Sequence, residues 1–281
     1  MSLKVDGEIS VDSDPCLVAW DDKVFIGAED GFIWTFDANL TAGESWQAHA
    51  VQPFALAVSG DKVYSASNDG GIRKWTRDGT KVTELPSTGA DVGVLKVYNN
   101  NLYAGDEGGN ITVFEDDKEK AKYNVLEEVK DLVVSEPFLF TVRDLDVTVT
   151  EIKPAESNTR YVTKHSMPGR SPLGLTGSHL LLMSRDGTTL QLHSAAYNAS
   201  FNKLHEVKVS NMIVTSLSVK GNSAWTGGWD GSVKRWQIVD NKLKAAGEIE
   251  LGACINAIVA STPEIAYAVL AGGKIVKIKA T

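Results

Sequence analysis

The sequence lacks several features that would assign it to a large class of proteins. It has two cysteines among 281 residues, Cys16 and Cys254, which excludes a secreted disulfide framework and favours reduced thiols over a single bond between them. No segment approaches the roughly 18 unbroken apolar residues of a membrane-spanning helix. The first eight residues carry acids where a signal peptide needs an apolar core. These absences predict a cytoplasmic or nuclear protein with no membrane segment.

Recognisable catalytic motifs are also missing. The sequence contains no Gly-Lys-Ser/Thr phosphate loop, no His-Glu-x-x-His zinc motif, no Gly-x-Ser-x-Gly nucleophile turn and no Cys-x-x-Cys pair. The histidines stand far apart rather than at ligand spacing, at positions His49, His165, His179, His193 and His205. We therefore expect a protein that is not an enzyme and that holds no metal or cofactor.

Basic residues are also fewer than acidic residues. The chain has 28 Lys and Arg against 36 Asp and Glu, a formal net charge of −8. This balance argues against a general binder of nucleic acid or of anionic membranes. We expect protein partners and no direct contact with nucleic acid.

The sequence does contain a repeat of about forty residues. Its two clearest copies span residues 63–75 and 224–236, and each reads as a strand, an Asp-Gly turn and a second strand that ends in Trp. Seven copies align at their turns, which are anchored by Asp30, Asp69, Gly108, Asp144, Asp186, Asp230 and Gly272. A glycine follows in every copy except the fourth, where Leu145 predicts a turn of different shape.

Each repeat has the pattern of four short strands. An apolar strand and a polar turn precede the hairpin, a more polar stretch follows it, and helical periodicity is absent. This organisation predicts an all-β fold, a seven-bladed β-propeller of four-stranded antiparallel blades, in one domain over residues 1–281.

The two ends of the chain predict how the ring closes. The seventh repeat stops at Thr281 without a fourth strand, whereas residues 3–10 form an alternating strand with no earlier partner. We expect residues 3–10 to complete blade seven, because pairing the two ends removes the free edges of an open array.

With these motifs the chain resembles the seven-bladed WD-repeat propellers over essentially its whole length. In that family a His, a Ser, a turn Asp and a Trp form a hydrogen-bonded structural tetrad. The second repeat matches it best, and the resemblance implies a tetrad of His49, Ser67, Asp69 and Trp75. The other repeats are poorer copies, so blades four, five and seven should depend more on apolar packing.

The resemblance also implies a function. Such propellers present surfaces rather than chemistry, and the residue before each turn anchor often reaches a bound partner; here these residues include Arg143, Arg185 and Trp229. We expect a non-catalytic scaffold or adaptor that binds a partner protein or peptide, as a subunit of a larger complex. The alternative is an enzyme or small-ligand binder that uses the central channel.

The channel mouth can be located by alignment with Phe54. The equivalent positions form a ring of Pro15, Phe54, Gly93, Lys130, Ser171, Thr215 and Asn256. This ring has one cation and no carboxylate, which makes it an unpromising metal site. We include Phe54 and Lys130 among the candidate partner-binding residues.

Trp229 and the charged turns complete the candidate site. Trp229 is the third Trp of its repeat, and an exposed turn gives it little to pack on, although its ring could also lie over the neighbouring blade. Acids gather in the turns of blades one to three, and Lys130, Arg143, Arg170 and Arg185 lie on blades four and five. A face divided in this way would orient a partner, unless the turns are charged merely because they are exposed.

Overall fold

The computed structural model describes residues 2–69, 71–153 and 161–281. Seven four-stranded antiparallel sheets make up the molecule, and they are arranged in a ring as the blades of a propeller. Within the described residues the sole helical element is a 3-10 turn, Tyr197–Ala199. No helix in this part of the chain is long and apolar enough to cross a membrane. The predicted all-β, seven-bladed architecture is therefore confirmed.

The first three blades follow one another along the chain after an initial strand. That strand is β1 (Leu3–Ser10). Blade one contains β2 (Pro15–Asp21), β3 (Lys23–Ala28), β4 (Phe32–Phe36) and β5 (Ala42–Gln47). Blade two contains β6 (Ala55–Ser59), β7 (Lys62–Ser67), β8 (Gly71–Thr76) and β9 (Lys81–Glu84). Blade three contains β10 (Val92–Tyr98), β11 (Asn101–Asp106), β12 (Asn110–Glu115) and β13 (Lys118–Asn124).

Blades four to six repeat the same order. Blade four contains β14 (Asp131–Ser135), β15 (Phe138–Arg143), β16 (Asp146–Ile152) and β17 (Tyr161–Pro168). Blade five contains β18 (Arg170–Thr176), β19 (His179–Met183), β20 (Thr189–Ser194) and β21 (Lys203–Lys208). Blade six contains β22 (Val214–Lys220), β23 (Ser223–Gly228), β24 (Ser232–Val239) and β25 (Lys242–Glu250).

Blade seven joins the two ends of the chain. Its inner strands are β26 (Ile255–Thr262), β27 (Ile265–Leu270) and β28 (Lys274–Ala280), and its outermost strand is β1. Strand β1 runs antiparallel to β28, with Leu3 opposite Ala280 and Ser10 opposite Lys274. Two ion pairs cross the same seam, Lys277 with Asp6 at 3.2 Å and Lys274 with Glu8 at 3.7 Å. The predicted closure by residues 3–10 is confirmed.

The core lies between the blades, because the middle strands of each blade are covered on both faces. Every residue of β11 and of β23 is buried, whereas β5, an outermost strand, is exposed at five of its six residues. This distribution explains the sequence pattern, since strands buried on both faces are apolar or small throughout. Outermost strands face solvent and carry the polar residues.

Side chains of the innermost strands connect neighbouring blades around the channel. The Asp131 carboxylate accepts a hydrogen bond from the Leu173 amide at 2.8 Å, which joins blades four and five. The Thr215 hydroxyl donates to the Ile255 carbonyl between blades six and seven, and the Asn256 amide donates to the Pro15 carbonyl at 2.9 Å between blades seven and one. Thr215 and Asn256 of the predicted mouth ring therefore have structural partners.

The turn glycine of blade one is required by close backbone contact. Gly31 has a φ of +85°, and a Cβ there would lie 2.1 Å from the His49 carbonyl oxygen. In the fourth repeat the corresponding turn is Asp144-Leu145, where Asp144 takes the positive φ of 44° and Arg143 pairs directly with Asp146. The different turn predicted from Leu145 has this physical form.

Candidate partner-binding face

One face of the ring carries all the candidate partner-binding residues. We call it the upper face: it bears the beginnings of the first strands, the turns between second and third strands, and the connections between blades. Backbone hydrogen bonds hold these segments together, as where the Trp229 amide donates to the Ile213 carbonyl at 3.0 Å. Phe54, Lys130, Arg143 and Arg185 belong to the same face, as the sequence predicts.

Exposed apolar side chains are concentrated on the upper face. Among the described residues, eight large hydrophobic side chains are exposed, and five of these lie on this face: Val51, Phe54, Leu126, Met212 and Trp229. Trp229 is 54% exposed and Phe54 is 39% exposed. The Trp229 ring is therefore not buried against the neighbouring blade, and it is accessible to a partner.

Two of the predicted residues line one cavity. This cavity, which we call the basic cavity, has a volume of about 530 Å³ and lies at the mouth between blades four, five and six. Lys130 and Trp229 line it together with Arg170, Pro172 and Ile213. Sequence analysis placed Arg170 in the basic half of the face but not in the site. Its position next to the mouth residue Ser171 was the signal that could have identified it.

Phe54 lines a second cavity of opposite charge. This acidic cavity measures about 210 Å³ and includes the carboxylates of Asp91, Glu107 and Glu128. The two cavities meet where Glu128 and Lys130 approach each other to 3.8 Å. Five of the seven predicted mouth positions line one cavity or the other, namely Phe54, Gly93, Lys130, Ser171 and Thr215.

The remaining two candidates are held by acceptors of the protein itself. The Arg185 guanidinium pairs with Asp146 at 2.7 Å and donates to the Leu145 carbonyl. The Arg143 guanidinium donates to the Val125 carbonyl at 2.9 Å and to the Thr148 hydroxyl at 3.2 Å. Neither arginine lines the two cavities. Both therefore contribute charge to the face while they stabilise its turns.

The channel below the mouth has an apolar lining. A cavity of about 420 Å³ there is bounded by the later parts of four innermost strands, including Val97, Val133, Leu175 and Leu217. Lys96 is the cation of this lining, and it lies 3.6 Å from Asp131. In the described residues, no group of three or more His, Cys, Asp or Glu side chains is arranged to hold a metal ion.

The structural tetrad of blade two contains a different serine from the predicted one. The His49 Nδ1–H donates to Asp69 at 2.7 Å, and its Nε2 accepts from the Ser65 hydroxyl at 2.8 Å. The Trp75 indole N–H donates to the same Ser65 oxygen at 2.9 Å. Ser67 instead donates to the Gln52 carbonyl at 2.7 Å. The assignment of Ser67 to the tetrad was wrong, and Ser65 occupies that position.

Burial and hydrogen bonding set the protonation of this network. Burial lowers the pKa of His49, because the charged imidazolium loses its hydration. Burial alone would raise the pKa of Asp69, but hydrogen bonds from the Ala50 amide and from His49 outweigh it, so the Asp69 pKa is lowered. A neutral His49 that donates from Nδ1 to an ionised Asp69 gives the side chains of His49, Asp69, Ser65 and Trp75 a hydrogen-bond partner each.

Blade six retains two fragments of the same network. The Trp236 indole donates to the Thr226 hydroxyl at 3.0 Å, and the Ser210 hydroxyl donates to Asp230. Ser210 lies where blade two has His49, and it is too short to connect the two pairs. The sequence identified this repeat as a poorer copy but did not identify Thr226 or Ser210 as substitutes.

The stretch from Lys153 to Ser171 contains a regular part. Tyr161–Pro168 forms β17, the outermost strand of blade four, and Arg170 begins β18. Residues 154–160 of the same stretch lie outside the described residues.

The two cysteines, Cys16 and Cys254, are free thiols.

Comparisons with known proteins identify the fold. No protein-family model and no curated protein matches the sequence. Among solved structures, the WD40 repeats of RRP9 superpose with a TM-score of 0.83 at 16% identity, covering 100% of this chain and 98% of that one. The WD40 β-propeller domain of Doa1 has a TM-score of 0.81 at 15% identity, with coverages of 99% and 97%.

A designed protein shows the same similarity. The computationally designed Ika8 protein has a TM-score of 0.70 at 18% identity and covers 96% of this chain and 97% of its own. The chain therefore has the fold of the WD40-repeat propellers. At these identities the comparisons establish the fold but not the partner.

Proposed function

We propose that this protein is a non-catalytic interaction scaffold, a single propeller domain that binds a partner protein or peptide on its upper face. The observation that carries the proposal is the concentration of exposed apolar side chains there. Large apolar groups at a protein surface mark interaction sites when they cluster and are rimmed by polar residues. Trp229 and Phe54 both meet that description, since each lines a charged cavity.

The candidate residues divide into anchors and charges. Trp229 and Phe54 offer rings that a partner can bury, and aromatic residues are enriched among those that dominate binding energy. Lys130, Arg143 and Arg185 add positive charge to the same face on blades four and five. Charges at the rim of an interface act mainly on the association rate and on its salt dependence. In this arrangement the partner's polarity determines its orientation across the ring.

The charge and composition support a particular setting. A net charge of −8 and two free thiols suit an intracellular scaffold that assembles with other proteins rather than with nucleic acid. We place the protein in the cytoplasm or nucleus, as a subunit of a larger complex. The channel supports this reading over catalysis, because its lower part offers apolar side chains and a paired lysine.

A matched pair of double variants tests the proposed face. Trp229→Ala with Phe54→Ala removes both rings of the upper face, whereas Tyr197→Ala with Val82→Ala removes exposed apolar groups elsewhere. Partners captured from cell extract by affinity-tagged wild-type protein are quantified by mass spectrometry against each variant. We expect the first variant to lose the specific partners and the second to retain them. Retention by the first variant and loss by the second would move the site off the upper face.

A further inference from the structure

The basic cavity has a specific chemical character. Its walls combine two cations, Lys130 and Arg170, with the apolar surfaces of Trp229, Ile213 and Pro172. Asp131 also lines it, but the carboxylate of Asp131 already accepts hydrogen bonds from the Leu132 and Leu173 amides. The acid is therefore committed to joining blades four and five, and the cations dominate what the cavity offers to a ligand.

Arg170 is the distinctive group of this cavity. Among the residues that the structure describes, none pairs with its guanidinium through a hydrogen bond or an ion pair. Its side chain lies along the turn of blade five, where a Cβ at Gly187 would be 3.5 Å from Arg170 Nη1 and 3.4 Å from Ile213 Cγ2. Both side chains therefore lie close to Gly187 at the cavity wall. A half-buried guanidinium with five N–H donors and no acceptor is a ready partner for a carboxylate, which it can bind in bidentate geometry.

Lys130 adds to this preference for a negative ligand. Its ammonium lies 3.8 Å from Glu128, and its side chain remains 41% exposed, so it is free to turn towards a second acceptor. Trp229 and Ile213 lie on the same cavity and bring apolar surface beside the two cations. One site can thus accommodate both a negatively charged group and an apolar group of a ligand.

We propose that the basic cavity binds an acidic segment of a partner protein, in which an Asp or Glu lies beside a large apolar residue. The carboxylate pairs with Arg170 and Lys130, and the apolar side chain packs on Trp229 and Ile213. This inference rests on the proposed function and specifies the partner's chemistry. Positional specificity comes from the neighbouring acidic cavity, where Asp91, Glu107 and Glu128 repel the same segment.

The charge of the protein as a whole makes this choice of ligand selective. With a net charge of −8 the protein does not attract acidic chains in general, so binding requires the local pair of cations. Two cations in one cavity are few for a nucleic-acid backbone, which is bound through a series of phosphate contacts. A protein segment is the occupant that fits both the cations and the apolar wall.

A selection from a phage-displayed library of random dodecapeptides tests the inference without knowledge of the natural partner. We expect peptides enriched on the wild-type protein to share an Asp or Glu next to Leu, Ile, Phe or Met. Affinities of synthetic copies are then measured by fluorescence anisotropy. Arg170→Glu and Trp229→Ala should each weaken binding at least tenfold. The matched control is Lys242→Glu, which reverses the charge of an exposed lysine on the same blade as Trp229 but on the opposite face, and it should leave affinity within twofold of wild type.

The outcomes separate this inference from the proposed function. Peptides that lack acids but still require Trp229 would retain the upper face as the binding site and overturn the acidic-segment proposal. Acidic peptides that bind Arg170→Glu as well as wild type would also overturn it. Peptides insensitive to every upper-face substitution would contradict both proposals. Each variant is first shown by circular dichroism to unfold within a few degrees of the wild-type temperature. If a single-stranded oligonucleotide competes with the peptides at equal concentration, the cavity is a nucleic-acid site and the acidic-segment proposal is overturned.

Discussion

Replacing Ser65 with Ala tests the tetrad at its central atom. The Ser65 hydroxyl accepts from the Trp75 indole at 2.9 Å and donates to His49 Nε2 at 2.8 Å, and the serine is fully buried. The substitution therefore leaves two buried polar groups without partners. Each such group costs about 1–3 kcal/mol, so the free energy of unfolding should fall by about 2–6 kcal/mol.

Ser67→Ala is the matched control two residues along the same strand. Ser67 is also buried, but its hydroxyl donates only to the Gln52 carbonyl, so its removal should cost about 1 kcal/mol. For a chain of this size each kcal/mol corresponds to roughly 2–4 °C in the thermal midpoint. Circular dichroism melts should thus show a decrease of roughly 4–24 °C for Ser65→Ala and roughly 2–4 °C for Ser67→Ala.

A double-mutant cycle makes this test independent of the absolute values. Trp75→Phe removes the indole donor and retains most of the ring. Ser65→Ala and Trp75→Phe should couple by about 1 kcal/mol or more, because they remove two ends of one hydrogen bond. Ser67→Ala and Trp75→Phe should be additive within about 0.5 kcal/mol. Coupling of Trp75 to Ser67 with none to Ser65 would refute the network described above.

Three further predictions follow from burial, from the seam and from the histidine. Trp75 is 6% exposed, so Trp75→Ala should lower the free energy of unfolding by about 3–5 kcal/mol in urea titrations. Trp229→Ala should change it by less than about 0.5 kcal/mol. Equal losses would place Trp229 in the core. Deleting residues 1–10 should expose the edge of β28 and produce aggregates by size-exclusion chromatography; an equally stable monomer would contradict the role of β1. Because burial lowers the His49 pKa below its ordinary value of 6.5, the unfolded chain binds the proton first as the pH falls through 6.5. The thermal midpoint should therefore decrease from pH 7.5 to 5.5, and the decrease should be smaller in His49→Gln; an unchanged slope in that variant would show that His49 does not carry this dependence.

The architecture could be predicted because its determinants are local and repeated. Turn anchors and strands with period two occur in each copy of the repeat, and a glycine follows the anchor in six of the seven. Even the long-range pairing of β1 with β28 could be predicted, since each end lacked the partner that the other supplied. Where a copy departs from the pattern, as at Leu145, the sequence indicated a different turn but not which residue would adopt the positive φ.

The error over the tetrad serine has a physical reason. Ser65 and Ser67 are two residues apart on β7, so both point to the same face and the sequence alone does not separate them. The strand register does, because Val63 lies opposite Trp75, Ser65 opposite Arg73 and Ser67 opposite Gly71. The Trp75 indole reaches Ser65 diagonally, whereas Ser67 lies farther away beside the turn.

The candidate site could be predicted in location but not in composition. Alignment of the repeats placed Phe54, Lys130 and Trp229 on one face. It could not show that Arg185 pairs with Asp146, or that Arg170 is left without an acceptor among the described residues. Those outcomes depend on distances between side chains of adjacent turns and blades, which no local pattern encodes.

The seam of blade seven has a consequence for synthesis on the ribosome. Strand β1 is made before the other strands of the propeller and its partner β28 after them, so at roughly 5–20 residues per second β1 waits roughly 15–50 s before it can pair. An unpaired strand in that interval is exposed to pairing with other chains. The charges of Lys4, Asp6 and Glu8 oppose such contacts during the wait. When β28 emerges, its Lys274 and Lys277 meet Glu8 and Asp6, so the acids that kept the strand solvated also select its final register.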